Sequence, residues 1–562
     1  MRDPGHQKVY QRYNEGETFN NQIDLYDTVE NNENFFIGKQ WEGVQANGNP
    51  TPTFNFLKRV TLFQVATVSS DNITMQSTPL CSTSQYSLGD MEKVSDVMNK
   101  QFNALFERNK IVTKTREFMR NAAVDGDGCT YTYFDPNIET GQDAKGDIVT
   151  EIVQNTRVIF GNPFDKEVQK QPWMIILLRK PLQEVKDEAK ANGFDADLIT
   201  SDQEEMGGSM SNLDTKNVSV YCYFEKDPKT GTIWFGKYTQ KGQVAEWRDT
   251  QLKLYPITWM NWDYVQDCYH GHALISQLIP NQVFVNQLFA MVMRSLQTTA
   301  FPKVIYDGTR IPHWDGGVGR AIRVNGGGDL NTIAKIMDPA SVSPQISQFI
   351  DAAIEYTQNF MGASDAALGD TRPDNTSAII ALQRASNAPL ELVKRNMFQS
   401  IKDLGRIYLD MMRVYYGRRH VQVKMWTKDQ LLNQPLGMTL PEQDINVEFD
   451  FGILEEIPMS LKLDVGASSY WSEIAAVQTL DNLLMQNKIN LDDYLERIPD
   501  GYVSKKQELI DKIRGSQMPM MDMGAAGGGA NAPLLDLNQP IPVKGGQGYG
   551  QLQRSLNETG MA

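Results

Sequence analysis

The stretch FMGASDAALGDTRPDNTSAIIALQRAS, residues 360–386, separates two strongly periodic apolar segments and contains three aspartates. Before it, apolar residues recur on one helical face from Ile346 to Phe360. After it, they recur at steps of three and four from Leu390 to Tyr415, which is a helical signal. Between them lie about a dozen small, polar and acidic residues, and loops of this length are usually functional or disordered. The stretch therefore predicts a long acidic loop between two helices.

The bulk composition indicates a folded, acidic chain. It has 562 residues, of which 41% are hydrophobic and 22% charged, with a formal net charge of −15, enough for several domains. This charge argues against a protein that coats DNA by neutralising phosphates. The N-terminus has no apolar signal core, and no apolar run is long enough to span a membrane. Widely spaced cysteines indicate a reducing compartment. We expect a soluble protein made in a cytoplasm; the cysteines are Cys81, Cys129, Cys222 and Cys268.

Apolar periodicity divides the first half of the chain into a helical part and a β-rich part. Helices are predicted over residues 20–37 and 54–70, and a helix pair over 91–123. The segment CTYTYFDP alternates as a strand, and a β-rich region extends from about residue 130 to 265. One helix, LQEVKDEAKANG, interrupts those strands.

The second half returns to helices. A long apolar helix is predicted over 274–298, followed by short strands and glycine-rich turns over 300–342. Ser343 and Pro344 then cap a second helix. A third helix starts at Thr376 or Ser377, extends to Tyr416 and is kinked at Pro389. Strands and two polar-rich helices follow, around 469–487 and 490–513, and the chain from Ser516 is predicted to be disordered. The fold class is therefore α+β and helix-rich.

The segment GTIWFGK, Gly231 to Lys237, fits the spacing of a phosphate-binding loop. Such a loop needs a serine or threonine after the lysine and a helix beyond it. Here Tyr238 follows, and the segment alternates like the second strand of a hairpin. The pattern favours a strand over a nucleotide site.

Two other motifs suggest metal binding. DGDG, starting at Asp125, resembles the start of a calcium loop, but later ligand positions carry unsuitable residues, and a turn is the simpler interpretation. CYHGH places Cys268, His270 and His272 at alternate positions, yet zinc needs a further ligand, so ordinary polar packing is favoured. The sequence contains neither GxSxG nor HExxH, and no cofactor is predicted. An active site assembled from distant residues stays open.

The order of segments resembles the portal protein of tailed bacteriophages. The similarity covers roughly residues 20–420, and no part of it is a catalytic signature. It lies in ENFFIGKQW, PTFNFLKRV, REFMRNAAVDGDGCTYTYFDP, ISQLIPNQVFVNQLFAMVMRSL and the opening stretch.

The resemblance implies a ring, usually of twelve subunits, around a central channel at one capsid vertex. DNA would be pumped in through this channel by the terminase and would later leave through it. The domains implied are a wing (1–271), a first stem helix (272–299), a clip (300–342), a second stem helix (343–361), a tunnel loop (362–376), a long kinked helix with wing strands (377–465), crown helices (466–515) and a disordered tail (516–562).

The resemblance also assigns two sets of site residues. The tunnel loop would line the channel, where its aspartates repel phosphates and its one arginine makes a weak sliding contact. Twelve copies would carry a charge of −180 (12 × −15), which suits DNA that slides rather than binds. The tunnel-loop residues are Asp365, Asp370, Arg372, Asp374 and Asn375. The clip residues facing the terminase and then the head-tail adaptor are Arg310, His313, Trp314, Arg320 and Arg323.

Partners follow from the same resemblance: further copies of the chain in a dodecamer, the terminase large subunit, the head-tail adaptor, the major capsid and scaffolding proteins, and double-stranded DNA. The protein would reside in the virion, after assembly in the host cytoplasm, without a membrane and without enzymatic activity. Two alternatives stay open. One is a phage enzyme that processes DNA or nucleotides; the other is a different minor virion protein, although long helices without internal repeats argue against a tail protein.

Overall fold

The computed structural model describes residues 1–71, 73–80, 88–142, 144–202, 216–300, 304–315, 317, 320–326, 329, 333–336, 344–360, 388–425, 443–465, 477, 480–486, 488–498, 506 and 509–510. Every structural statement below concerns these residues. The predicted tunnel loop and the predicted disordered tail lie outside them. The chain divides into two compact units, Met1–Ala475 and Ala476–Ala562, and each is described by itself.

The helices of the first unit largely follow the predicted periodicity. The helix predicted over 20–37 is, however, divided, because Asp24 has a left-handed backbone (φ 52°) and separates two helices. A helix before it, at the N-terminus, was not predicted. The helices are α1 (Gly5–Gln22), α2 (Leu25–Ile37), α3 (Phe56–Val68), α4 (Leu88–Arg108), α5 (Ile111–Asp125), α6 (Leu182–Ala191), α7 (Leu274–Ala300), α8 (Pro344–Phe360) and α9 (Glu391–Tyr415).

All described strand pairs are antiparallel. The strands are β1 (Ile73–Pro79), β2 (Asp127–Asp135), β3 (Asp147–Ile152), β4 (Val158–Phe160), β5 (Trp173–Pro181), β6 (Asn217–Lys226), β7 (Ile233–Tyr238), β8 (Gln243–Asp249), β9 (Ile257–Asn261), β10 (Val304–Tyr306), β11 (Ala334–Ile336), β12 (Arg418–Met425), β13 (Gln443–Asp450) and β14 (Met459–Val465). They form a five-stranded sheet in the order β4-β5-β6-β7-β8, a three-stranded sheet β3-β2-β9, and the pairs β1-β14, β10-β11 and β12-β13. Mixed helices and antiparallel strands agree with the α+β class.

Helix α9 organises the core of the first unit. Its predicted apolar stripe is buried as expected, except for Tyr415, which is half-buried. Pro389 lies in the 3-10 turn Ala388–Leu390 at which α9 starts, and the part of the predicted helix before Ala388 is outside the described residues. At Gly405 a Cβ atom would overlap the Met75 sulfur. The missing side chain therefore lets α9 lie close against β1. The buried stripe comprises Leu390, Val393, Met397, Ile401, Leu404, Tyr408 and Met411.

The described part of the second unit contains α10 (Leu491–Arg497). The Tyr494 hydroxyl donates a hydrogen bond to the Asp481 carboxylate (2.6 Å), and the Lys506 ammonium donates one to the Ile498 carbonyl (2.8 Å). The two polar-rich helices predicted here are thus described only in part.

A buried carboxylate, Asp127, joins segments that are distant in sequence. Its Oδ1 accepts hydrogen bonds from the Gly271 N–H (2.7 Å) and the Asn261 amide (2.8 Å). Its Oδ2 lies 2.7 Å from His270 Nδ1 and accepts a bond from the Asn155 amide (3.2 Å). Because a buried charge is costly unless hydrogen-bonded, these partners fix the start of β2 against β9 and the segment that leads into α7.

The neighbouring carboxyl, Asp125, is the last residue of α5 and is also buried. Burial raises the pKa of Asp125 to about 7; Arg120 opposes this rise in pKa, whereas Glu33 and Asp127 add to it. A carboxyl whose pKa is higher in the folded state binds more protons there than in the unfolded chain. Its effect on stability is therefore increasingly unfavourable as the pH rises from about 4 to about 7.

Replacing Asp125 tests this effect. Asp125→Asn removes the ionisation, so the free energy of unfolding of the variant, relative to that of the natural protein, should be larger at pH 8 than at pH 5. The upper limit of this increase is about 1.4 kcal/mol per unit of pKa shift. Urea unfolding at the two pH values measures the gain. The exposed Asp187→Asn serves as control and should show no such pH dependence. An equal difference for Asp125→Asn at both pH values would contradict this account.

Candidate interaction site

The nucleotide-binding alternative for GTIWFGK does not agree with the structure. Gly231 has a left-handed backbone (φ 73°) and lies before β7, which pairs with both β6 and β8. The Lys237 ammonium forms an ion pair with Glu188 on α6 (2.5 Å). The lysine thus contacts a carboxylate rather than projecting from a phosphate-binding loop. The interpretation as a strand is confirmed.

The CYHGH motif holds a structural histidine. His270 is buried and uses both ring nitrogens, Nδ1 towards Asp127 (2.7 Å) and Nε2 towards Asn20 Oδ1 (3.2 Å). His272 exchanges backbone hydrogen bonds with Asp263. In the described part of the chain, no group of three or more histidine, cysteine or acidic side chains is arranged to hold a metal ion. DGDG and CYHGH therefore meet in one polar cluster, a pairing that neither motif indicates alone.

Among the predicted clip residues, Trp314 contacts the short ribbon β10-β11 directly. The Trp314 ring stacks on Tyr306 of β10, with 5.3 Å between ring centroids. His313 is exposed, and Ile305 of β10 exposes 59% of its surface. The ribbon therefore presents aromatic and aliphatic surface to the solvent.

The three clip arginines differ in their surroundings. Arg310 lies 3.9 Å from the Asp307 carboxylate, and Arg320 forms an ion pair with Asp315 (3.0 Å). Hydrogen bonds from the Gly317 N–H and from Arg320 lower the pKa of Asp315. Arg323 is exposed. Two of these arginines are thus paired locally, whereas Arg323 has no ion pair among the described residues.

The tunnel-loop prediction concerns residues 362–376, all of which lie outside the described part of the chain. The same holds for Asp365, Asp370, Arg372, Asp374 and Asn375 individually. Their role stays a prediction.

Helices α7 and α8, which flank the predicted clip, form an antiparallel pair. The Asn281 amide donates a hydrogen bond to the Thr357 hydroxyl (3.0 Å), which joins the beginning of α7 to the end of α8. Val285 and Ile350 pack together with Phe56 of α3 in a buried apolar cluster. One face of each helix is therefore covered within the chain.

The other faces of the pair expose large apolar side chains. Phe284 and Met291 on α7 are 47% and 56% exposed, and Phe349 and Tyr356 on α8 are 63% and 61% exposed. Members of each couple are seven residues apart and thus share one helix face. Clustered exposed apolar side chains mark interaction surfaces. The sequence analysis placed Phe349 on the same apolar face of α8 as Ile350, whereas the structure buries Ile350 and exposes Phe349. Phe284, Met291 and Tyr356 were not singled out, although their spacing was visible in the sequence.

Comparison with known families gives a match over most of the chain. The model of the Phage P22-like portal protein family matches residues 11–456, from within α1 to the turn after β13. Comparison with curated proteins gives no match. No helix in the described part is long and apolar enough to cross a membrane. Portal proteins have a structural role, as oligomeric rings associated with a capsid vertex. The chain belongs to the P22-like phage portal protein family.

Proposed function

We propose that this chain forms the ring-shaped channel through which the terminase packages DNA and through which DNA later leaves the capsid. The family match over residues 11–456 carries the proposal. The proposal includes the boundaries of the wing, stem, clip, tunnel loop and crown that were inferred from the sequence. Helices α7 and α8 are the stem helices in this proposal. The role is that of a conduit to which head-tail connector proteins attach, not that of an enzyme.

The exposed faces of α7 and α8 supply the contact between neighbouring subunits. Exposed apolar side chains on a helix pair are unfavourable in a monomer, because each Å² of apolar surface removed from water contributes about 25 cal/mol of favourable free energy. In a closed ring the contact is heterologous, so one face of the pair packs against a different face on the next copy. Phe349 and Tyr356 on one side, with Phe284 and Met291 on the other, suit such packing.

Charge placed on these faces should prevent ring formation. Met291→Lys combined with Phe349→Lys would bury two charges at each contact between subunits, which is costly. The variant should therefore be a monomer with a mass of 63.4 kDa. The natural protein, if dodecameric, has a mass of about 760 kDa (12 × 63.4 kDa). Mass photometry distinguishes the two.

The matched control is Gln348→Lys, which places the same charge at an exposed polar position on α8 and should leave assembly unchanged. Near-identical circular dichroism spectra establish that the charged variant is folded. A charged variant that still assembles as efficiently as the control would contradict the assignment of this interface.

Residues 362–376 are proposed to project into the channel as a tunnel loop. The motivating observation is the acidic composition of residues 362–376, in which Arg372 is the one basic residue. Carboxylates repel DNA phosphates, and one arginine per subunit supplies a contact that is weak at physiological salt.

Deletion of residues 363–375 should leave the ring intact but reduce packaging or retention of DNA. Rings are counted by mass photometry, and packaged DNA is measured as nuclease-resistant DNA per particle. Normal packaging with intact rings would remove the assigned role of the loop, whereas loss of rings would show that the segment is needed for assembly instead.

The clip is proposed to contact the terminase large subunit and, after packaging, the head-tail adaptor. His313, the Trp314 stack and Arg323 offer exposed polar, aromatic and positively charged groups there, next to Arg310 and Arg320. The major capsid and scaffolding proteins are proposed to contact the wing. Binding of the purified terminase large subunit and adaptor to the ring measures the clip contacts.

A further inference from the structure

A small cavity lies where helix α4, the turn between β2 and β3, and strand β12 meet. Its volume is about 110 Å³. One water needs about 10–15 Å³ of such space, and sites for larger ligands occupy roughly 300–1,000 Å³, so the cavity suits one small ion or molecule. Its lining includes Ala104, Arg108, Gln142, Asp147, Tyr416 and Arg419.

The buried side of the cavity contains a guanidinium, that of Arg419, which is 7% exposed. Its Nε and Nη2 donate hydrogen bonds to the backbone carbonyls of Tyr416 (3.3 Å) and Gly146 (2.8 Å). The guanidinium also lies 3.9 Å from the centroid of the Tyr416 ring. These contacts hold the guanidinium in one orientation but supply no negative charge. Among the described residues, Arg419 has no carboxylate partner, and its Nη1 has no hydrogen-bond partner.

A second guanidinium, that of Arg108 on α4, lines the same cavity but already has a carboxylate partner. It forms an ion pair with Oδ2 of the buried Asp147. The other oxygen of Asp147 accepts hydrogen bonds from the Tyr416 hydroxyl (2.5 Å) and the Ile148 N–H (2.8 Å). The charged side chains in the described lining are thus two arginines and one aspartate, so the formal charges sum to +1.

The two guanidiniums repel each other. Burial lowers the pKa of Arg419; Tyr416 opposes this effect, and the charge of Arg108 adds to it. An arginine nevertheless stays protonated in a protein, and a buried charge is costly unless an opposite charge accompanies it. An anion in the cavity that both arginines line would supply that charge. The planar guanidinium fits the oxygens of phosphate and carboxylate groups with two parallel hydrogen bonds.

The cavity is accessible from the solvent. Ala104, Arg108 and Gln142 are exposed, whereas Asp147 and Arg419 on its other side are buried. The Gln142 side chain exchanges two hydrogen bonds with the backbone of residue 420 (2.9 and 3.1 Å), which fixes the turn against β12. A free ion can therefore enter, but a phosphodiester with a nucleoside on each side is too large for about 110 Å³.

We propose that this cavity binds one free tetrahedral oxyanion, inorganic phosphate or sulfate, which accepts hydrogen bonds from the guanidiniums of Arg419 and Arg108. The bound ion joins α4, β3 and β12, which are distant in sequence. Because it binds the folded state and not the unfolded chain, it stabilises the fold. The proposal rests neither on ring formation nor on the portal role.

Isothermal titration calorimetry of the full-length protein with inorganic phosphate tests the proposal, in chloride buffer of constant ionic strength at pH 7.5. One ion should bind per chain with a Kd of about 100 μM or tighter, and sulfate should compete with it. A single-stranded oligonucleotide with a 5′-phosphate carries the same group on nucleic acid. It should bind at least tenfold more weakly than inorganic phosphate.

Removal of one charge locates the binding. Arg419→Met keeps an apolar side chain of similar length but removes the buried charge, so phosphate binding should weaken at least tenfold. Arg418→Met is the matched control, because this neighbouring side chain is 72% exposed and pairs with Asp450, outside the cavity. It should leave the Kd unchanged. Circular dichroism verifies that both variants are folded.

A carboxylate placed at the cavity should replace the ion. Ala104→Glu should abolish phosphate binding and, without phosphate, raise the midpoint of thermal unfolding by about 1 °C or more. Phosphate should then raise this midpoint no further. Asn103→Glu, exposed on the same helix but outside the lining, is the matched control and should keep the response to phosphate. This test does not depend on the folding of Arg419→Met.

Three outcomes would overturn the proposal: no phosphate binding by the natural protein, equal binding by Arg419→Met and Arg418→Met, or equal responses of Ala104→Glu and Asn103→Glu to phosphate. Binding that occurs only after Asp143→Asn would show that this carboxylate, which lies outside the described residues, already fills the cavity. Tighter binding of the phosphorylated oligonucleotide than of inorganic phosphate would assign the arginines to nucleic acid and would also overturn the proposal.

Discussion

The rest of the first unit depends on the hydrogen bonds that the Asp127 carboxylate forms. It accepts hydrogen bonds from Asn261 and Gly271, and it contacts His270. His270 in turn contacts Asn20 at the end of α1. Through these bonds the N-terminal helix, the start of β2, the end of β9 and the residues before α7 are held together. Because α7 begins at Leu274, the same cluster sets where the helix pair leaves the sheets.

Local periodicity was enough to predict most helices. The stripe of α9, apart from the half-buried Tyr415, and that of α4 and α5, apart from the exposed Val112, are buried as their spacing required. An amphipathic helix encodes its covered face locally. The prediction that GTIWFGK forms the second strand of a hairpin was also correct. These elements share one property: their partners lie nearby in the sequence, or their pattern alone identifies them.

Other features depend on distant partners and were not predicted. β1 pairs with β14, nearly four hundred residues later. The alternation of MSLKLDV in β14 was visible in the sequence and was missed, whereas the pairing with β1 is a property of the fold. β3 (DIVTEI) and β8 (QVAEWRD) carry at least as many polar as apolar residues, so their strand character comes from neighbours in the sheet. Likewise, DGDG and CYHGH were each noted, but the contact between Asp127 and His270 is a property of the fold. The family match supports the inferred role, whereas the tunnel-loop residues depend on the resemblance alone.

The exposed apolar faces of α7 and α8 are the features of the described fold that bear on assembly. Phe284 and Met291, like Phe349 and Tyr356, present apolar area on helices whose inner faces are already covered. Apolar faces of this kind suit permanent packing between subunits.

Electron microscopy of the purified full-length protein, with class averages of top views, tests the central claim most directly. The account predicts closed rings with a central hole and a countable rotational symmetry, formed without any other phage protein. Compact, asymmetric single particles at high protein concentration would contradict it.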